Sequence, residues 1–136
     1  MAKMTERMQE LFNRVSTVAF ATASADGTPN VVPVGAKKII DDETILISDQ
    51  FFGKTLSNIK VNPKVALTYW EGHEGYQLKG SVTVETSGRL FEDTAKWVEE
   101  LSRKKGTVLK SKGIVILKIE DIYNVAPGPD AGKKLA

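Results

Sequence analysis

Residues 44–63 read TILISDQFFGKTLSNIKVNP and carry the densest set of structural signals in this chain. The run predicts a buried strand over Thr44–Ser48, a loop over Asp49–Gly53 and a short helix over Lys54–Val61. Asn62-Pro63 ends the helix, because the proline ring disfavours helical geometry in the residue before it. A strand end and a helix N-terminus are therefore expected to meet within this stretch.

Gly53, Lys54 and Thr55 lie at the predicted start of this helix, and Asn58 follows one turn later. A phosphate is bound by free backbone N–H groups, the positive end of a helix dipole, a cation and small polar side chains. All four are expected here, so a phosphate monoester is one prediction for this site. A solvated surface lysine at position 54 is the alternative that the residues alone leave open.

A nucleotide-binding P-loop is excluded, although Gly53-Lys54-Thr55 matches the end of its pattern. Ser48 stands where the pattern requires its first glycine, and the bulky Phe51 and Phe52 fill the loop. A loop that wraps a triphosphate needs a backbone freedom that these residues deny.

The composition fits one soluble globular domain over residues 1–136, with 41% hydrophobic and 26% charged residues. A net charge of +2 is too small to indicate a nucleic acid or an acidic membrane surface as partner. The chain has no cysteine, which excludes disulfides and thiolate chemistry. No signal peptide and no membrane-spanning apolar run are visible, so a cytoplasmic location is expected. Residues 1–4 and 127–136 are predicted to be mobile tails.

The patterning predicts a mainly β fold, a six-stranded antiparallel split barrel with flanking helices. Amphipathic helices are expected over Thr5–Arg14 and Asp93–Lys105, in addition to Lys54–Val61. Pro33 within the second strand indicates an edge, a bulge or a ligand-facing gap, and Gly80 indicates a bulge or a sharp bend in the fifth strand. The strands are expected at Thr17–Ala23, Asn30–Ile40, Thr44–Ser48, Val65–Trp70, Tyr76–Thr86 and Ile114–Tyr123.

His73 is the single histidine of the chain and lies in the polar loop Glu71–Gly75. With no second histidine and no cysteine, a transition-metal site is not expected. No serine–histidine–acid arrangement or nucleophile elbow is visible, so no catalytic side chain is predicted. His73 is interpreted as an exposed loop residue.

The order of several short motifs resembles the FMN-binding split-barrel family, the relatives of pyridoxamine 5'-phosphate oxidase. The resemblance extends from about Glu6 to Pro127 and is greatest to the small single-domain flavoproteins of that family. The motifs that carry it are PNVVPVG at Pro29–Gly35, GKTLSNI at Gly53–Ile59, NPKVAL at Asn62–Leu67 and LKGSV at Leu78–Val82.

This resemblance implies a homodimer with FMN held in each of two clefts between the subunits. It implies that the helix start binds the phosphate, that the end of the preceding strand presents backbone groups to the flavin, and that the second strand lies along the ring and ribityl chain. The residues so implied are Gly53, Lys54, Thr55 and Asn58 for the first group, Ile47, Ser48 and Asp49 for the second, and Val32, Pro33 and Val34 for the third.

The chain also departs from the oxidase branch of that family. The basic residues of the oxidase's second strand are absent, with Asn30 and Gly35 nearby instead, and Phe51-Phe52 replaces its basic loop. Its substrate-binding C-terminal segment finds no match in Ile122–Ala136. A redox flavoprotein other than pyridoxamine phosphate oxidase is therefore expected. A non-catalytic FMN storage or sensing protein, or a barrel that binds deazaflavin or haem, remains the alternative.

Overall fold

Seven strands and three helices make up the described part of this chain. The computed structural model describes residues 2–50, 52–106 and 109–136. In chain order the elements are α1 (Glu6–Arg14), β1 (Val18–Ala23), β2 (Pro29–Val34), β3 (Lys37–Asp41), β4 (Thr44–Asp49), α2 (Lys54–Val61), β5 (Lys64–Glu71), β6 (Glu74–Glu85), α3 (Arg89–Lys104) and β7 (Gly113–Asn124). The predicted mainly β class is confirmed.

The strands form one sheet in the order β2-β1-β5-β6-β7-β4-β3, and each neighbouring pair is antiparallel. Val34 on one edge strand, Phe20 on its neighbour and Ile47 near the other edge belong to one buried cluster. Residues from opposite ends of a flat sheet could not share a core, so the sheet curls. The result is the predicted split barrel, with β2 and β3 as its two edges.

The predicted count of six strands is wrong, because Asn30–Ile40 forms two strands rather than one. The chain leaves the sheet at Gly35 and Ala36, between β2 and β3. β2 pairs with β1, whereas β3 pairs with β4, and these ladders lie at opposite edges of the sheet. One straight strand could not reach both partners, so the segment Asn30–Ile40 divides at Gly35 and Ala36, where the chain passes from one edge of the sheet to the other.

Pro33 and Gly80 take the positions that their chemistry predicts. Pro33 lies in β2, an edge strand, where a missing N–H costs no central ladder bond. The register of β6 against β7 shifts between Lys79 and Gly80, which confirms the bulge. A Cβ atom at Gly80 would lie 2.0 Å from the Lys118 carbonyl oxygen, so the close approach requires glycine.

Helix α1 is the predicted amphipathic helix, with Met8, Leu11 and Phe12 buried on one face. Thr5 caps it, since its Oγ1 accepts from the Met8 N–H at 3.2 Å. Helix α3 begins one turn earlier than predicted, after Gly88, whose positive φ of 97° sets the chain direction there.

Other boundaries also differ from prediction. The polar loop at Glu71–Gly75 is reduced to a tight turn at Gly72 and His73, because Glu71 and Glu74 pair across the hairpin. At the C-terminal end, the Leu135 N–H donates to the Ile122 carbonyl at 2.7 Å. Met1 lies outside the described residues, and the mobility of both tails stays a prediction. Within the described ranges, the helices are too short or too polar to cross a membrane.

Candidate functional site

A cleft of about 450 Å³ lies at the open side of the barrel, between β2, the end of β4 and the start of α2. β2 contributes Val32, Pro33 and Val34 to its lining. The wall is apolar and graded in exposure, because Val34 is buried, Val32 half-buried and Pro33 exposed. The sequence predicted these three residues for the ligand site, and the structure brings them together on this wall.

Phe52 extends the apolar surface of the cleft from the loop before α2. Its ring stacks on that of Phe20, with centroids 6.2 Å apart and an interplanar angle of 19°. Phe20 is fully buried in the core, so the stacking anchors the loop. Phe51, which the sequence also placed in this loop, lies outside the described residues.

The start of α2 provides the polar wall of the same cleft through Gly53, Lys54 and Thr55. Gly53 is the N-cap and offers no side-chain cap, and the first turn holds no acidic residue. The first N–H groups of a helix have no partner within it, so the positive end of the dipole faces this region. Lys54 is exposed, and within the described residues no carboxylate lies at ion-pair distance from it.

A network of polar side chains joins this helix start to β1 and β2. Asn30 Nδ2 donates to Thr55 Oγ1 at 3.0 Å and to Thr22 Oγ1 at 3.2 Å. Asn58 Nδ2 donates to the same Thr22 oxygen at 3.0 Å. Thr55 and Thr22 are buried, and buried polar groups with satisfied partners fix local geometry. Asn58 thus holds the helix against β1, and it lines an adjoining polar cleft rather than the first one.

Ile47, Ser48 and Asp49 at the end of β4 are all buried. The Ile47 side chain belongs to the core, and Ser48 lines the cleft. Asp49 closes the strand-to-helix loop, since its Oδ1 accepts from the Phe52 N–H at 2.9 Å. Only Ser48 of the three therefore borders the cleft.

Sequence reasoning did not place four of the cleft residues in the site. They are Asn30, Gly35, Gln50 and Phe52. Alternation along a strand puts Asn30 on the same face as Val32 and Val34, a signal that was available in the sequence.

His73 lies away from this cleft, exposed at the turn between β5 and β6. Beside it, Arg7 Nε donates to Glu74 Oε2 at 2.9 Å, and this contact lowers the pKa of the Glu74 carboxyl. Among the described residues, no group of three or more His, Cys, Asp or Glu side chains could hold a metal ion.

A family profile described as pyridoxamine 5'-phosphate oxidase matches residues 4–126. The chain belongs to the pyridoxamine 5'-phosphate oxidase family. A relative in this family, an uncharacterized protein of Methanocaldococcus jannaschii, is 44% identical over 138 residues, which cover 98% of this chain and 89% of that one. The family predicted from the sequence motifs is confirmed.

Solved structures extend this family relationship to the fold. Group A Streptococcus HupZ aligns with a TM-score of 0.80 at 28% identity, covering 95% of this chain and 99% of that one. An FMN-binding protein from Syntrophomonas wolfei aligns with a TM-score of 0.74 at 17% identity, covering 87% and 82%. An F420 reductase aligns with a TM-score of 0.67 at 19% identity, and the haem storage protein HutZ of Vibrio cholerae aligns with a TM-score of 0.61 at 15% identity. Both therefore share this fold.

Proposed function

We propose that this protein is an FMN-binding redox flavoprotein of the pyridoxamine 5'-phosphate oxidase family, and not pyridoxamine phosphate oxidase itself. One observation carries the proposal: one cleft joins an apolar strand wall to a helix start that has no side-chain cap and carries Lys54, which has no carboxylate at ion-pair distance among the described residues. A flavin mononucleotide has a flat apolar ring system at one end and a phosphate at the other, so the two walls match its two ends.

The residues present fit this cofactor on chemical grounds. Lys54, Thr55 and the N–H groups that follow Gly53 would hold the phosphate through charge-assisted hydrogen bonds. Val32 and Val34 would cover the ring with apolar surface.

Three further residues of β2 and β4 have defined places in the proposal. Pro33 lacks an N–H and would leave a neighbouring carbonyl available. Ile47 would contact the flavin only through its backbone, because its side chain packs in the core. Asp49 would hold the loop beside the flavin, because its side chain accepts from the Phe52 N–H.

Bound FMN supplies the electron-transfer chemistry, and the protein supplies binding, orientation and the surroundings that set the potential. The apolar wall of the cleft would exclude water from the bound ring. Hydrogen bonds to the ring would then be stronger than in water. No side chain of the cleft is assigned a catalytic role in this proposal.

The proposal includes a homodimer that completes the cofactor site. Val31 and Trp70 are large apolar residues with exposed fractions of 64% and 58%. Both line a groove of about 400 Å³ along the β2 edge of the sheet. The groove shares Val32 and Pro33 with the cofactor cleft. A second copy seated on the groove would therefore also border the cleft, and a twofold pairing would form two equivalent sites.

Other ligands remain candidates because the fold also occurs in the F420 reductase and the haem storage protein. Deazaflavin would use the same apolar and polar walls. Haem is less well matched, because His73 is the only imidazole of the chain and lies outside the cleft. A storage or sensing protein would bind FMN in the same way without turnover.

The absorption spectrum of the purified protein is the first test, followed by reconstitution with FMN if it is colourless. Flavin bands would support the proposal, and a Soret band or the deazaflavin spectrum would contradict the cofactor assignment. Reduction of the bound flavin by a nicotinamide donor and its reoxidation by an acceptor would support the redox role. Retention of a flavin that no donor reduces would favour storage.

A further inference from the structure

A pocket of about 180 Å³, the α3 pocket, lies between helix α3 and the segment that follows β2. Val98, Leu101 and Leu109 form its apolar wall. Gly35 and Gln50 line both this pocket and the cofactor cleft, so the two spaces adjoin. No residue of α2 lines the α3 pocket. A ligand in it would therefore approach the flavin from the end of β2 rather than from the phosphate position.

The apolar wall of the α3 pocket is held in place by hydrogen bonds at the end of α3. The Leu109 N–H donates to Ser102 Oγ at 2.9 Å, and the Ser102 hydroxyl donates to the Glu99 carbonyl at 2.9 Å. The buried Ser102 hydroxyl is thus satisfied, and the wall offers mainly aliphatic surface to a ligand. The volume equals that of about six water molecules in the liquid, which is the scale of one ring with a small substituent.

Lys105 places a positive charge at this pocket. The carboxylates nearby are already paired, because Glu99 lies 2.6 Å from Arg103 and Asp49 lies 4.0 Å from Lys112. Among the described residues, no carboxylate lies at ion-pair distance from Lys105, which is exposed at the end of α3. The pocket therefore combines an aliphatic wall with a cation that is available to an acidic ligand.

We propose that the α3 pocket binds a small ligand with an apolar ring and one carboxylate, beside the flavin. This inference rests on the proposed function, since the ligand meets a flavin only if the first cleft holds one. The aliphatic wall takes the ring, and Lys105 and the Gln50 amide donate to the carboxylate. A neutral ligand of the same shape gains the apolar contacts without the charge-assisted hydrogen bond, so the pocket distinguishes the two.

The test uses benzoate and its neutral counterpart benzamide as probes on the full chain loaded with FMN. Difference absorption spectra of the flavin and isothermal titration calorimetry measure the two affinities. Leu101→Trp fills the α3 pocket without entering the cofactor cleft, which Leu101 does not line. Leu90→Trp is its matched control, because Leu90 lies on the same helix, lines neither space and has an exposed fraction of 39% against 37% for Leu101.

Lys105→Gln removes the charge, and Lys104→Gln is the control at an exposed neighbouring position that lines neither space. Thermal unfolding checks that each variant folds. The wild-type protein is expected to bind benzoate about threefold to tenfold more tightly than benzamide. Lys105→Gln should abolish this preference by weakening benzoate alone, whereas Lys104→Gln should keep it. Leu101→Trp should weaken both probes about tenfold or more and leave the affinity for FMN unchanged.

Three results would overturn the inference. They are the absence of any spectral change or heat with millimolar benzoate, equal affinities of the wild-type protein for benzoate and benzamide, and equal losses in Leu101→Trp and Leu90→Trp. The second result would indicate a neutral apolar occupant instead. Failure of the wild-type protein to bind FMN would contradict the proposed function, whereas an FMN-loaded protein that does not bind benzoate would contradict this inference alone.

Discussion

Asn30 Nδ2 lies 3.0 Å from Thr55 Oγ1, and this contact joins the edge strand β2 to the first turn of α2. The two residues are 25 positions apart in the chain. The same amide donates to Thr22 Oγ1, which also accepts from Asn58. The apolar wall and the helix start of the cleft are therefore held in a fixed relation by one polar network.

Thr55→Val is expected to lower the free energy of unfolding by about 0.5–1.5 kcal/mol, because the half-buried Asn30 amide loses its hydrogen bond to the buried Thr55 hydroxyl. The affinity for FMN should fall as well, because the same hydrogen bond holds the two walls of the cleft together. Thr55→Ser keeps the hydroxyl and is the matched control, measured by urea unfolding and flavin titration. Equal stability of the valine and serine variants would contradict a role for this hydrogen bond.

Lys54→Ala is expected to weaken FMN binding much more than riboflavin binding, because riboflavin lacks the phosphate. A charge-assisted hydrogen bond contributes about 1.5–3 kcal/mol, which corresponds to a loss of roughly 10-fold to 150-fold for FMN. Lys60→Ala, a second exposed lysine of α2, is the control for net charge. Similar losses for both ligands would contradict the phosphate assignment.

Val31→Glu is expected to convert a dimer of about twice 14.9 kDa into a monomer and to release flavin. The added carboxylate would have to be desolvated in the groove that Val31 and Trp70 line. Val61→Glu is a close control, since the exposed fractions of Val31 and Val61 are 64% and 65%. Light scattering and flavin retention on dilution measure both effects, and a wild-type monomer that retains FMN at low concentration would contradict the dimer.

Gly80→Ala is expected to destabilise the fold by about 3 kcal/mol or more, because overpacking against a backbone atom cannot be relieved by a rotamer change. The new Cβ would lie 2.0 Å from the Lys118 carbonyl oxygen at the bulge. Gly35→Ala is the control, since its Cβ would make only an ordinary 3.6 Å contact with the Ser16 carbonyl oxygen. Comparable midpoints of thermal unfolding for the two variants would contradict the constraint at the bulge.

Asp26 is expected to titrate at low pH, because the hydroxyls of Ser24 and Thr28 lower its pKa from 3.8 to about 2. A carboxyl whose pKa is lowered in the folded state stabilises the fold at pH values above its pKa in the unfolded chain. This contribution is lost as the pH falls from about 4 towards 2. The double variant Ser24→Ala, Thr28→Val should raise the pKa of Asp26 towards 3.8. NMR titration of the Asp26 carboxyl measures it, and an unchanged midpoint in the double variant would rule out this cause.

The sequence by itself determined the features that depend on neighbours along the chain. Helical periodicity and Asn62-Pro63 gave α2 with its observed bounds. The missing N–H of Pro33 argued against a central strand position, and Gly80 marked the bulge. The order of short motifs also identified the family, whose profile matches residues 4–126. Each of these signals acts over a few residues or is a linear pattern, so it can be read without coordinates.

Only the tertiary structure decided which distant residues meet. The run Asn30–Ile40 was predicted as one strand, and it divides at Gly35 and Ala36 because its two halves pair at opposite edges of a curled sheet. Asn58 was predicted at the phosphate from its position one turn into α2, and only the structure shows that its amide also bonds to Thr22 on β1. The adjoining polar cleft that Asn58 lines likewise exists because the β1–β2 turn lies beside α2. Hydrogen bonds between such residues depend on how the sheet closes, which no local pattern specifies.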